Sequence, residues 1–197
     1  MKLLVSNIST VRRYHQEFGD IIGHLFTPQA GYTHDTPEYY ACDNSAFSNW
    51  DETKFWRMVE TVRCPKWVAV PDVVGDCRKT NELFELYKMR IPHPLAYVLQ
   101  DNVSISEVPW GEISCIFIGG TDDFKLSEQS RLLVEYAKSR QLWVHMGRVN
   151  SYRRIRVAID WGCDSVDGSS FSRFPKMYIP GALRFIQTYS KSPGLFY

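Results

Sequence analysis

The residues able to do chemistry in this chain gather where short apolar runs end. Asp43-Asn44-Ser45 closes the run Tyr39–Cys42, Pro71-Asp72 closes Trp67–Val70, and Gln100-Asp101 closes Leu95–Leu99. Further along, Gly119-Gly120 follows Cys115–Ile118, Met146-Gly147-Arg148 follows Leu142–Val144, and Asp167-Gly168 follows Ser165–Val166. A buried strand excludes carboxylates, because an unpaired charge in low dielectric is costly or shifts its pKa. Acids at a strand end, beside Gly and Ser, are instead presented to a ligand. Any single one of these positions reads equally well as a turn-former; all six together form a constellation. Two carboxylates can split a displacement at a sugar carbon, one as nucleophile and the other as proton donor and acceptor. Asp with Gln can read the edge of a purine, and Gly-Gly amides can approach a base carbonyl because no Cβ intervenes. The pattern predicts glycosidic-bond chemistry on a nucleotide.

Side chains gathered in this way need a frame that ends its strands on one face. The apolar runs above, with Leu3–Val5 before them, alternate with stretches of helical period over 51–62, 79–89, 127–140 and 151–161. Asp51 and Ser127 suit helix N-caps, Glu128 adds acid to a first turn, and Gly162 suits a helix C-terminus. Such alternation predicts a parallel sheet with helices outside it. Seven runs, and an eighth placed around Met177–Ile179, predict an α/β fold, a compact (β/α)8 TIM-like barrel, closed or nearly closed. The chain has 197 residues, where such barrels typically take about 250. An open doubly wound sheet is the second reading, weakened because no Gly-rich dinucleotide fingerprint or P-loop follows any run. Nothing divides the chain, so residues 1–197 are expected to form a single catalytic barrel domain.

Composition narrows the function. A net charge of +1 supplies no global field toward nucleic acid or membrane, so any nucleic-acid contact must come from a local patch. No apolar run reaches the ~18 residues of a membrane span, and Met1–Asn7 reads as a first strand rather than a signal peptide. The five cysteines (Cys42, Cys64, Cys77, Cys115, Cys163) are odd in number and form no CxxC pair. That favours reduced thiols in a cytoplasmic protein over disulfides or a cysteine-rich zinc site.

In order and spelling, these segments resemble the tRNA-guanine transglycosylase superfamily, above all its DNA-acting branch, the 7-deazaguanine DNA transglycosylases of phage and bacteria. Asp43-Asn44-Ser45-Ala46-Phe47 is similar to the family's Asp-Ser-Gly-Gly-Phe, whose Asp is the general acid/base. Val70-Pro71-Asp72 and Val98-Leu99-Gln100 are similar to the segments whose Asp and Gln bind the purine, and Ile118-Gly119-Gly120 to one whose amides hold the base carbonyl. His145-Met146-Gly147 resembles a Leu-Met-Gly strand end, which puts Met146 and Gly147 among the substrate-binding residues. Gly162-Cys163-Asp164-Ser165-Val166-Asp167 is similar to a segment ending in the nucleophilic aspartate.

The resemblance implies an enzyme that exchanges guanine in DNA for a 7-deazaguanine such as 7-cyano-7-deazaguanine. Asp167 would form a covalent glycosyl intermediate while Asp43 moves the proton, with no metal or cofactor. The target base would have to be flipped out or single-stranded. Two departures stand out: Asn44 and Ala46 replace small family residues, and the cysteine/histidine zinc spacing of the tRNA enzymes is missing, which favours DNA over tRNA. A tRNA-acting enzyme, a hydrolytic N-glycosidase, and a non-enzymatic purine or nucleic-acid binding module are the alternatives. Near-neutral charge fits a homo-oligomer or an accessory protein that supplies DNA affinity.

Several residues carry two readings. Asp164 is the alternative nucleophile; the family register and strand alternation favour Asp167 and leave Asp164 a salt bridge or turn bond. Arg148, Asn150, Arg153 and Arg154 suit phosphate contacts or a solvated helix face, and Arg156 the latter. His145 reads as a core histidine before a ligand. Phe47 and Trp50 are candidates for stacking on a base or for plain packing. Tyr32, His34 and Asp35 lie where a lid would cover the site.

Overall fold

The structure, a computed structural model, describes residues 1–29, 39–48 and 50–190; the lid candidates Tyr32, His34 and Asp35 lie outside them. Eight parallel strands close into a barrel in sequence order. They are β1 (Lys2–Val5), β2 (Ile22–Phe26), β3 (Tyr40–Cys42), β4 (Val68–Ala69), β5 (Leu95–Leu99), β6 (Cys115–Ile118), β7 (Trp143–Met146) and β8 (Ser165–Asp167). Closure comes from β8 on β1, with Lys2 opposite Ser165 and Leu4 opposite Asp167. The barrel is the expected one; the open sheet is excluded.

Helices α1 (Ile8–Phe18), α2 (Glu52–Thr61), α3 (Cys77–Tyr87), α4 (Asp122–Lys125), α5 (Glu128–Ser139), α6 (Tyr152–Asp160), α7 (Ser169–Arg173) and α8 (Pro175–Tyr189) follow the strands. Among the described residues no helix follows β2, and β5 is followed by a single 3-10 turn over Ile105–Glu107, so the chain builds the barrel with fewer residues than usual. The expected caps form: the Asp51 side chain accepts from the Lys54 N–H and the Ser127 side chain from the Ser130 N–H. Gly162 takes the left-handed conformation (φ +78°) that ends α6. Asn7, Asp76 and Ser151 cap α1, α3 and α6 in the same way.

Two expectations are corrected. Met177–Ile179 lies inside α8, which opens on Pro175, where a missing N–H costs nothing. The eighth strand is instead Ile22–Phe26, whose alternation is hidden by Gly23 and His24. Gly23 is there for space, since a Cβ would stand 2.8 Å from Leu4 Cδ2 and 2.9 Å from the Tyr39 ring.

Alternation along the strands divides the core. Outward residues such as Leu3, Val68, Leu99, Ile118, Val144 and Val166 pack under the helices. Inward residues fill the barrel, where Ala41, Ala69 and Ala96 make room for Tyr39, Trp67, Phe117 and Trp143. Tyr39 stacks on Trp143 at 5.0 Å and Trp67 meets Phe117 edge-on at 5.9 Å. This aromatic layer fills the barrel, and Phe117 with Leu4, Leu25 and Val98 lines the cavity at its C-terminal mouth. Among the described residues no helix is long and apolar enough to cross a membrane.

Candidate active site

A cavity of about 440 Å³ opens at the C-terminal ends of the strands. Asp43, Asp72, Gln100, Gly119, Gly120, Arg148 and Asp167, six strand ends far apart in sequence, all line it. So do Asn44, Phe47 and Lys125.

Each carboxylate has its own surroundings. Asp43 leaves β3 with its N–H donating to Phe26 O at 2.8 Å, which fixes its backbone to β2. Its carboxyl is pushed up to about 7, first by burial, then by the charges of Asp167 and Asp72, against weaker opposition from the Ser45 and Asn44 N–H groups. Ser45 adopts φ +60°, the left-handed region, to turn those amides.

Asp72 is gripped from both sides. Asn44 Nδ2 donates to its Oδ1 at 2.8 Å and Gln100 Nε2 to its Oδ2 at 2.7 Å. Burial raises its carboxyl to about 6, while Asn44, Gln100 and the Arg148 charge hold it down. Gln100 is fully buried, and its Oε1 accepts from the Gly75 N–H at 2.9 Å. The amide expected to face a ligand is thus engaged at both ends and orients Asp72. Asn44 does likewise, its Oδ1 taking the Ala46 N–H at 2.7 Å and its Nδ2 also reaching Val70 O at 2.8 Å.

Asp167 ends β8 facing inward. Its Oδ1 accepts the Arg148 N–H at 2.8 Å and lies 3.4 Å from His145 Nε2. Arg148 reaches this geometry at φ +57°, which few side chains adopt and which aims its amide at the carboxylate. Its guanidinium donates to Gly120 O and lies over the Phe47 ring, 3.8 Å from the centroid. Lys125, the last residue of α4, is entirely buried and donates to Gly147 O at 3.0 Å. Burial lowers its ammonium to about 8, with help from the Arg148 charge and against the pull of Asp167 and Asp122.

The glycines admit close approach. A Cβ on Gly119 would stand 2.7 Å from Val98 Cγ1; Gly147 does not line the cavity, and a Cβ there would stand 2.5 Å from Phe117 Cε1 and 3.4 Å from Asp167 Oδ1. Gly120 has φ +67°, held by an adjoining turn in which Asp101 accepts from the Thr121 N–H and hydroxyl. The Gly119 N–H donates to Leu99 O at 3.1 Å, so this residue gives the cavity its bare surface rather than its amide.

Other expected residues are not brought to the cavity. Met146 is a correction: it points outward, fully buried with Ile118 and Val166 under the helices, as alternation from His145 requires. Arg154 binds Asp122 at 2.7 Å and Arg148 O at 3.2 Å, bracing the loop instead of awaiting phosphate. Asn150 accepts the Ser170 N–H at 3.0 Å, while Arg153 is exposed on the outer surface of α6. Asp164 pairs with Lys138 of α5 at 2.7 Å and accepts the Val144 N–H, at the opposite end of β8 from the cavity. Trp50 packs on Phe55 and Tyr87 and lines a neighbouring cavity; of the two aromatic candidates only Phe47 borders the main one. Lys125 is not legible in the sequence: a Gly-Gly-Thr turn and two acids precede it, and a lysine there reads as solvated.

Fold and site together define a (β/α)8-type barrel with a carboxylate-lined cavity at its C-terminal face. No family model and no curated protein matches the chain. Among solved structures it is similar to the EAL enzyme Bd1971 in its cAMP-bound form, at 12% identity and a TM-score of 0.38, over 90% of this chain and 48% of that one. The chain thus spans about half the length of that structure.

Proposed function

We propose that this protein is a guanine transglycosylase that exchanges guanine in DNA for a 7-deazaguanine base. One observation carries the reading: Asp43 and Asp167 border one cavity in surroundings that suit them to opposite tasks. Asp43, with a carboxyl near 7, is half protonated at neutral pH and can both give and take a proton. Asp167 ends β8 facing the same cavity, with Oδ1 held by the Arg148 N–H, in the place a nucleophile would have to occupy.

Asp167 attacks C1′ as Asp43 protonates the departing guanine, giving a glycosyl ester. The incoming base then attacks C1′ and returns its proton to Asp43. Asp72, ionised at neutral pH and fixed by Asn44 and Gln100, accepts from the N–H donors on the guanine edge. The Phe47 ring and the Arg148 guanidinium over it are placed to meet the nucleotide at the rim.

The test is incubation with guanine-containing DNA, and in parallel RNA, plus labelled guanine or 7-cyano-7-deazaguanine. Label entering DNA and abolished by Asp167→Asn supports the proposal. Label entering only RNA moves the substrate to the tRNA class. Abasic sites without label indicate a hydrolase, and binding without either product, unchanged in Asp167→Asn, indicates a binding module.

A further inference from the structure

His145 has no part in the scheme above, yet it lies directly beneath the proposed nucleophile. The imidazole is fully buried in the barrel, 4.5 Å from the Phe117 ring and 5.1 Å from that of Trp67. Its Nδ1 is 2.8 Å from Ser165 Oγ, and the same oxygen lies 2.8 Å from Trp143 Nε1. Its Nε2 makes no hydrogen bond, and Asp167 Oδ1 stands 3.4 Å away. Leaving a buried polar atom unsatisfied costs about 1–3 kcal/mol, so its place calls for a reason.

The hydrogen positions follow from donor and acceptor capacity. An indole N–H only donates, so Ser165 Oγ accepts from Trp143. Oγ keeps a second lone pair and its own hydrogen, so Ser165 can partner Nδ1 in either tautomer and the facing carboxylate makes the choice: with the serine hydrogen turned to Nδ1, Nδ1 is the acceptor. A neutral imidazole with a bare Nδ1 carries its hydrogen on Nε2, on the side of Asp167. The other tautomer would set a lone pair against a carboxylate oxygen. Asp167 Oδ1 also takes the Arg148 N–H, while among the described residues no hydrogen bond reaches Oδ2.

We propose that His145 is a positioning residue whose Nε2–H donates to Asp167 Oδ1, so that His145 and the Arg148 N–H clasp one oxygen and leave Oδ2 to attack. The reacting role of Oδ2 rests on the transglycosylase reading. In the first step an Oδ2 lone pair bonds C1′ while the C1′–N9 pair departs with the purine, which Asp43 protonates. In the second, the incoming base bonds C1′, its proton passes to Asp43, and the C1′–Oδ2 pair returns to the carboxylate, whose Oδ1 meets two N–H donors. Contacts of this kind are often long in the unliganded protein and shorten in the reacting complex.

The tautomer can be read without any activity, by 15N NMR of the imidazole in the unliganded protein. A proton on Nε2 and a bare Nδ1 are expected; a proton on Nδ1 overturns the proposal. Ser165→Ala removes the partner of Nδ1 but leaves the Asp167 contact, so Nε2 is expected to keep its proton; a move to the Nδ1–H form would show that Ser165 alone sets the tautomer and counts against the clasp. In the exchange assay, His145→Leu is expected to lower kcat roughly 10- to 100-fold at unchanged KM, the range for one hydrogen bond to a charged group. His145→Gln, whose amide places a donor near the Nε2 position, is expected to recover most of that loss. A Leu variant as active as the Gln variant overturns the proposal, since packing alone gives that order. If the wild-type protein exchanges nothing, the functional reading fails while the tautomer still decides the His145–Asp167 contact.

Discussion

Replacing Asp43 by Asn sets stability against activity, and the structure gives the size of each effect. The carboxyl moves from an ordinary 3.8 to about 7 in the folded protein, mainly because the cavity withholds water and Asp167 and Asp72 stand nearby. A folded-state value above the unfolded one means that the native protein binds more protons across that interval. Stability from this group is therefore complete below pH 3.8 and is lost as pH rises through about 7. At about 1.4 kcal/mol per pH unit, the interval corresponds to up to about 4 kcal/mol. Asn keeps the shape and an oxygen for the Ser45 and Asn44 N–H groups but carries no charge to bury. Asp43→Asn is thus expected to melt higher than wild type at pH 8. At roughly 2–4 °C per kcal/mol for a chain of this size, the gain is up to roughly 8–16 °C. At about pH 5 it shrinks to less than half. The same change removes the proton carrier and is expected to slow exchange by roughly 10²–10⁴-fold. Thermal melts followed by circular dichroism at three pH values, beside the exchange assay, measure both. A melting difference that does not change with pH, or full exchange by the variant, would refute the reasoning.

Gln100→Leu deprives Asp72 of one donor and pushes its carboxyl higher still, so guanine affinity is expected to fall roughly 10-fold at pH 6.5 and to recover as pH rises and the carboxylate re-forms. Calorimetric titration checks this, and an equal loss at pH 6.5 and 8.5 places the effect elsewhere. Gly147→Ala drives a methyl into Phe117 and toward Asp167; a loss of about 1–3 kcal/mol in urea unfolding is expected. Asp164→Asn gives up a half-exposed pair with Lys138 and is expected to cost less than about 1 kcal/mol. It should leave the covalent adduct intact, which mass mapping of a trapped complex would find on Asp167.

The parts of the molecule that show in the sequence are those where local chemistry and global position agree. Leu95–Leu99 and Cys115–Ile118 are continuous apolar runs between turn-formers, and β5 and β6 have those bounds. Ile22–Phe26 is hidden because its Gly answers a steric demand from Leu4 and Tyr39, both remote from it in sequence. The site divides in the same way. Asp43, Asp72 and Asp167 stand out because three apolar runs end on an acid, and the recurrence carries a signal that one such position does not. Met146 misleads, because nearness to a strand end does not fix which way a side chain points. Lys125, Asn44 and the His145–Ser165 pair acquire meaning only from neighbours on other strands, so no local pattern announces them.

The grip on Asp72 has a mechanical side. β4 is two residues long, and its register with β3 is a single pair, Cys42 opposite Val68. Just above that short seam, Asn44 from the end of β3 and Gln100 from the end of β5 both hold Asp72 from the end of β4, and Asn44 also bonds Val70 O. The side chains that orient a ligand thus also lace the thinnest join in the barrel wall. Amide exchange at Cys42 and Lys66, whose N–H groups donate to Trp67 O and Tyr40 O across that seam, should therefore slow when a purine occupies the cavity, and breathing of the wall there should open the site and release its occupant in one motion.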